Sequence, residues 1–129
     1  MSFVSSNAIV QVTNTVNTVM IAMDQGDGAL FASQYASDGS CTIEILNKTF
    51  NGHSELSNLC MTLHDKFVHC MHWEGNVSVS KGSNEGDLIN QSYWKAMDIN
   101  NGNCISMGMH KDVLVQEGDQ WKIKSRTIS

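Results

Sequence analysis

The residues best suited to chemistry are two histidines in the segment DKFVHCMHWEGNVSVS, residues 65–80. His69 and His72 fall where a helical pattern of apolar residues gives way to an alternating one. A neutral imidazole can take up a proton at neutral pH, so His72 is a candidate general acid/base. The alternative is a hydrogen-bonded residue at the start of a strand that has no catalytic role.

The neighbours of His72 divide into two faces if the segment is a strand. Period two places Glu74 and Asn76 on the face of His72, with Trp73 on the other. If His72 points inward, we expect Asn76 to line a pocket and Glu74 to be either functional or exposed at the rim. Alternatively, Trp73 faces the core, or a bulge at Gly75 exchanges the two faces.

His110 is the second candidate, in the segment GMHKD. It would be a polar pocket residue that positions a substrate oxygen, or a structural, half-exposed histidine, which is the commoner state. Tyr93, on the preceding alternating segment, could donate a hydrogen bond to a carbonyl.

The cysteines do not form a CxxC pair, and we expect free, mostly buried thiols. They are Cys41, Cys60, Cys70 and Cys104. Cys60 and His64 are four residues apart on a predicted helix and form the only near Cys–His pair considered for nucleophilic catalysis. His69, Cys70 and His72 follow, but adjacent strand residues point to opposite faces, and no compact repeat of ligands exists. The sequence therefore predicts neither a metal site nor a bound cofactor.

Length and charge exclude several classes of protein. The chain of 129 residues, 41% hydrophobic, fits one globular domain. A net charge of −5, with only 8 Lys and Arg, argues against binding to nucleic acid or an anionic membrane. No apolar run approaches the ~20 residues that span a bilayer, and the N-terminus does not resemble a signal peptide. We therefore expect a cytoplasmic protein.

Helical periodicity dominates the first part of the chain. A helix over residues 6–23, capped by Ser5 or Ser6, carries an apolar stripe. The stripe comprises Ile9, Val12, Val16, Val19 and Met23. The segment DQGDG ends this helix, and Asp27 is the expected N-cap of a second, short helix over residues 28–36.

Strand patterns dominate the rest. A strand over residues 40–46 and a short return strand in NKTFNG precede a third helix over residues 53–67. Alternating segments separated by KGSNEGD, NNG and EGD then predict an antiparallel meander. Segregated helices and strands indicate an α+β fold. The simplest packing is a curved antiparallel sheet wrapped around the N-terminal helices, whose concave apolar face forms a pocket.

Four segments appear in an order that resembles SnoaL-like proteins. They are MDQGDGALFASQYASDG, FNGHSEL, HWEGNVSV and GMHKDVLVQEGDQWKIKSRTI. The resemblance spans residues 16–128 and points to the nuclear transport factor 2-like superfamily, which includes scytalone dehydratase. It implies a single SnoaL-like domain over residues 1–129 with a cone-shaped, cystatin-like α+β barrel and one deep pocket. It also implies a homodimer through the sheet.

The same resemblance implies a site. Asp24 matches an aspartate near the end of the first helix, and His72 matches the histidine that it faces in dehydratases and cyclases. A carboxylate on one imidazole nitrogen fixes the tautomer and stabilises the imidazolium. Otherwise, Asp24 ends the first helix or caps the second. A second dehydratase histidine is expected near SYWKA, where Tyr93, Trp94 and Lys95 stand instead, which puts dehydration itself in doubt.

The expected function is therefore a cofactor-free lyase, isomerase or cyclase that acts on a small apolar ligand bearing a carbonyl or hydroxyl. A non-catalytic ligand carrier and a dimeric interaction module on the same fold are the alternatives. Tyr35, Met61 and Trp94 would supply apolar wall, together with Phe31, Met97 and Trp121. Core packing is the alternative for each of them. Eight methionines favour an adaptable apolar pocket.

Overall fold

The structure is a computed structural model that describes residues 3–129. Within them, three α-helices and a 3-10 turn precede or interrupt a six-stranded sheet, which confirms the α+β class. The elements are α1 Ser6–Gln25, α2 Gly28–Ser33, β1 Tyr35–Ile43, the 3-10 turn Glu44–Leu46, β2 Lys48–Asn51, α3 Gly52–Lys66, β3 Cys70–Lys81, β4 Leu88–Asp98, β5 Cys104–Glu117 and β6 Gln120–Ile128.

Helix α1 is defined by local signals that the sequence carries. The Ser5 side chain caps it by accepting a hydrogen bond from the backbone N–H of Ala8 at 3.1 Å. It ends at Gly26, whose φ of +69° suits glycine. Its buried face includes the predicted stripe from Val12 onward, but Ile9 is 41% exposed, and its placement on the stripe was wrong. No helix within residues 3–129 combines the length and apolarity that crossing a membrane requires.

The sheet curves around the helices in the order β2-β1-β6-β5-β4-β3 and does not close. Strands β3 to β6 form the predicted antiparallel meander. The pairing of β1 with β6 is parallel, which the sequence did not predict. The apolar core lies between the concave face and α1, with Val16, Leu114 and Ile123 fully buried.

Two predicted elements, α2 and β1, had wrong boundaries. Helix α2 ends at Ser33 rather than 36, and Tyr35 already begins β1. The strand predicted over 40–46 stops at Ile43, because residues 44–46 form a 3-10 turn that leads to Asn47 at φ +49° and reverses the chain into β2. Asp27 caps α2 as expected, accepting from the backbone N–H of Leu30 at 3.0 Å.

A bulge in β3 decides which side chains face inward. Pairing with β4 shifts between Gly75 and Ser78, and Asn76 has a φ of +53°. Before the bulge, even-numbered residues face the helices; after it, odd-numbered Val77 and Val79 pack against the core. Asn76 is thus exposed, and its predicted place on the inward face of His72 was wrong. The structure instead shows the alternative prediction, a bulge beginning at Gly75 that exchanges the two faces.

Candidate active site

His72 and Asp24 form a close hydrogen-bonded pair between β3 and the end of α1. His72 Nδ1 lies 2.7 Å from Asp24 Oδ1, and the same carboxylate accepts the backbone N–H of His72 at 3.0 and 3.2 Å. The two side chains are 16% and 21% exposed. With Nδ1–H donating to Asp24, the free lone pair of the neutral imidazole is on Nε2.

The His72 ring lies on the wall of an apolar cavity of about 260 Å³ between the concave sheet and the helices. Its wall includes apolar side chains from α1, α3 and β5, among them Met20, Met23, Leu63 and Met107. Polar groups enter from Cys70, His72, Ser106 and His110. A volume slightly below the ~300–1,000 Å³ of common ligand pockets fits a compact molecule.

His110 supplies a second imidazole to the same cavity. Its Nδ1 lies 2.9 and 3.0 Å from the carboxylate oxygens of Glu74, which also accepts from the Ser92 hydroxyl at 2.5 Å. The Trp94 ring stacks on His110 with centroids 5.8 Å apart. Burial and the Arg126 cation lower the pKa of His110, although Glu74 opposes this. At neutral pH His110 is therefore an uncharged imidazole.

A buried ion pair is connected by hydrogen bonds to the Glu74 carboxylate that holds His110. Arg126 binds Asp112 side-on, with Nε–Oδ1 at 2.7 Å and Nη2–Oδ2 at 3.0 Å. Burial lowers the pKa of Arg126, but Asp112, Tyr35 and Glu74 together more than offset this and raise it. Asn90 donates to Asp112 and to Ser92, each at 3.0 Å. The group is thus continuous from Arg126 to the carboxylate that holds His110.

The structure brings together four of the eight residues predicted for the site. His72, Trp94 and His110 line the cavity, and Asp24 binds His72. The other four, Tyr35, Met61, Asn76 and Tyr93, are not part of the cavity wall.

Each of these four corrections has a structural reason. Tyr35 is buried in the core, where burial raises the pKa of its phenol. Met61 is 42% exposed on α3. Tyr93, one residue out of phase with the inward residues of β4, faces outward and is 54% exposed. Asn76 lies within the bulge of β3 and is exposed.

Several site residues were missed or misjudged from the sequence. Glu74 is 1% exposed rather than at the rim, and His110 is 1% exposed rather than half-exposed. Period-two alternation places Glu74 on the face of His72 and Asp112 on the face of His110, but it does not decide which face is inward. No local signal identified Arg126, since its partner Asp112 lies on another strand.

The expectation about metal ligands concerned Cys60, His64, His69 and Cys70. Cys60 is buried and donates its thiol to the Ala22 carbonyl at 3.7 Å, and His69 is exposed at a φ of +67°. Among residues 3–129, no three His, Cys, Asp or Glu side chains are grouped so as to hold a metal ion.

Comparison with known proteins identifies the family of this chain. The family model for the SnoaL-like domain matches residues 4–127. No curated protein matches the sequence significantly.

Solved structures share the fold at low identity. A cystatin-like protein of unknown function from Nostoc punctiforme has a TM-score of 0.88 and 17% identity, over 98% of this chain and 93% of that one. ActVI-ORFA from Streptomyces coelicolor has a TM-score of 0.81 and 20% identity, over 92% of this chain and 94% of that one. A candidate scytalone dehydratase from Novosphingobium aromaticivorans has a TM-score of 0.75 and 15% identity, over 93% of this chain and 81% of that one. With the family model covering nearly its whole length, the chain belongs to the SnoaL-like domain family.

Proposed function

We propose that the cavity binds a compact, mostly apolar molecule that carries a carbonyl or hydroxyl. His72 then acts as the general acid/base of a cofactor-free lyase, isomerase or cyclase reaction, oriented by Asp24. The observation that carries this proposal is the 2.7 Å contact from His72 Nδ1 to Asp24 Oδ1, with the ring on the cavity wall. Family membership and the fold shared with a candidate scytalone dehydratase support it.

The chemistry follows from the tautomer. His72 Nε2 removes a proton from a carbon next to the substrate carbonyl, and Asp24 stabilises the imidazolium that forms. Return of that proton to a leaving hydroxyl releases water; its return to another carbon isomerises the substrate. His110, neutral and donating its Nδ1–H to Glu74, keeps the lone pair of Nε2 to accept a hydrogen bond from a substrate hydroxyl. The apolar wall excludes water and strengthens these interactions.

Variants at the pair test the proposal. Wild-type protein and H72Q, D24N and H69N are incubated with a panel of compact β-hydroxy ketones, and enone formation is followed by ultraviolet absorption. We expect H72Q to lower the rate by about 100-fold or more, the usual contribution of a general base. His69 is an exposed histidine outside the cavity wall, so H69N is the matched control and should keep the wild-type rate. An unchanged rate in folded H72Q would exclude the assignment.

A non-catalytic carrier is the second candidate, because an apolar cavity of this size binds ligands whether or not it converts them. It predicts that panel members raise the thermal stability of the wild type and H72Q equally, without any product from either protein.

We also propose a homodimer formed through the outer face of the sheet. This face exposes large apolar side chains on three neighbouring strands, namely Trp73, Tyr93 and Met109. Apolar patches of this kind commonly mark protein interfaces. Sedimentation equilibrium should report a dimer for the wild type and a monomer for W73E/M109E; a monomeric wild type would refute the proposal.

A further inference from the structure

The cavity contains a cysteine beside the His72–Asp24 pair. Cys70 and His72 are two residues apart on β3, so both side chains point to the same face. Cys70 Sγ lies 4.0 Å from His72 Nε2, while Nδ1 of the same ring binds Asp24. Thiol, imidazole and carboxylate therefore follow one another in the order that activates a nucleophile, and the first two line the cavity.

The other cysteines have different surroundings. Cys41 and Cys60 are buried, and burial raises the pKa of each thiol to about 11. Cys104 is exposed and donates to the carbonyl of Ser106 at 3.4 Å. Among residues 3–129, Cys70 is thus the cysteine with an imidazole nitrogen in reach. Burial and the nearby Asp24 also raise its pKa, so the resting group is a thiol that needs a base.

Trp94 lines the same cavity beside His72 and His110, with ring centroids 6.5 and 5.8 Å from theirs. Its indole N–H is buried against Gly108 and is not exposed to the cavity, so the ring contributes an apolar aromatic surface. The cavity thus combines an apolar wall with a nucleophile and its base.

We propose that Cys70 is a nucleophilic thiol, activated by His72 and Asp24, that forms a covalent adduct with compact α,β-unsaturated ketones. The thiol proton passes to His72 Nε2 as Sγ bonds to the β-carbon, and the electrons of the double bond move to the carbonyl oxygen. The imidazolium then returns the proton to the α-carbon. Every atom of thiol and enone is retained in the adduct, and no oxidant or other reactant is needed.

This inference extends the proposed function at the same site without depending on it. Loss of water from a β-hydroxy ketone yields an α,β-unsaturated ketone, so a product of the proposed lyase reaction belongs to the class that Cys70 would capture. Adduct formation itself requires only the thiol, the base and the cavity.

The test uses 2-cyclohexen-1-one as the probe and peptide mass spectrometry as the readout. We expect the adduct on Cys70 to form faster than on exposed Cys104, although Cys70 is less accessible. H72Q should slow the Cys70 reaction about 100-fold or more while leaving Cys104 unaffected. D24N should slow it to a lesser degree, and the control H69N should not change it. Circular dichroism verifies that each variant is folded.

The outcomes separate this inference from the proposed function. Labelling of Cys70 no faster than Cys104, or unchanged by both H72Q and D24N, would overturn the inference. If adducts form at Cys70 as described but no β-hydroxy ketone is turned over, the lyase proposal fails and this one holds. If a β-hydroxy ketone is turned over but no adduct forms at Cys70, this inference fails and the lyase proposal holds.

Discussion

The buried pair of Arg126 and Asp112 makes a sharp prediction about stability, because strand β6 carries two ion pairs in opposite environments. Arg126 and Asp112 are 1% and 0% exposed. Two residues earlier, Lys124 binds Asp38 at 2.5 Å, with side chains 47% and 68% exposed. The variants D112N and D38N thus remove the same charge from a buried pair with two contacts and from an exposed pair with a single contact.

The expected loss of stability in D112N comes from the Arg126 charge that is left without its partner. D112N leaves a buried guanidinium that cannot release its proton, and loss of one partner of a buried pair typically costs about 3–5 kcal/mol. Glu74, whose Oε1 lies 3.9 Å from Arg126 Nη2, compensates in part, so we expect a value near 3 kcal/mol. With a urea dependence of about 2 kcal/mol per M, the unfolding midpoint should fall by roughly 1.5 M.

Urea unfolding of both variants tests this reasoning. D38N should shift the midpoint far less than D112N, since solvent screens the exposed pair. The double variant D112N/R126M, which leaves neither charge of the pair, should be more stable than D112N alone. Equal midpoint shifts for D112N and D38N would show that burial of the Arg126 pair is not what makes it matter.

Three further predictions concern pH, thiols and packing. Because the pKa of His110 is lowered in the folded state, its contribution to stability is complete above the ordinary value near 6.5 and is lost as the pH falls through the lowered one. The free energy of unfolding should therefore fall between pH 7 and 5, and fall less in H110Q. Iodoacetamide should modify Cys104 in the native protein but Cys41 and Cys60 only in urea, by peptide mass spectrometry. L114A should cost about 2–5 kcal/mol in urea unfolding, because Leu114 is fully buried; a loss below 1 kcal/mol would contradict its place in the core.

Features that depend on neighbours in the chain could be predicted from the sequence. The Ser5 and Asp27 caps, the apolar stripe from Val12 onward and the meander of β3 to β6 follow from local hydrogen bonding and periodicity. The bulge after Gly75 was one of the alternatives that the sequence left open, because period-two alternation alone does not show where one residue in the left-handed region changes its phase.

In the candidate site, too, contacts between residues far apart in the chain could not be predicted from local pattern. Asp24 and His72 are 48 residues apart, and no periodicity relates them; the family resemblance, rather than the pattern, paired them. Only the tertiary structure shows that Cys70 lies within reach of His72 Nε2, since shared strand face does not fix side-chain distance.

The sequence by itself determined the Asp27 cap, the α+β class and which residues of a strand share a face, such as His110 and Asp112. Only the tertiary structure decided that Glu74, His110 and Arg126 are buried together. A charged side chain is tolerated in a core when its partner is in place, and these partners come from β3, β5 and β6. That partnership exists only after the strands have paired, so local sequence carries no record of it.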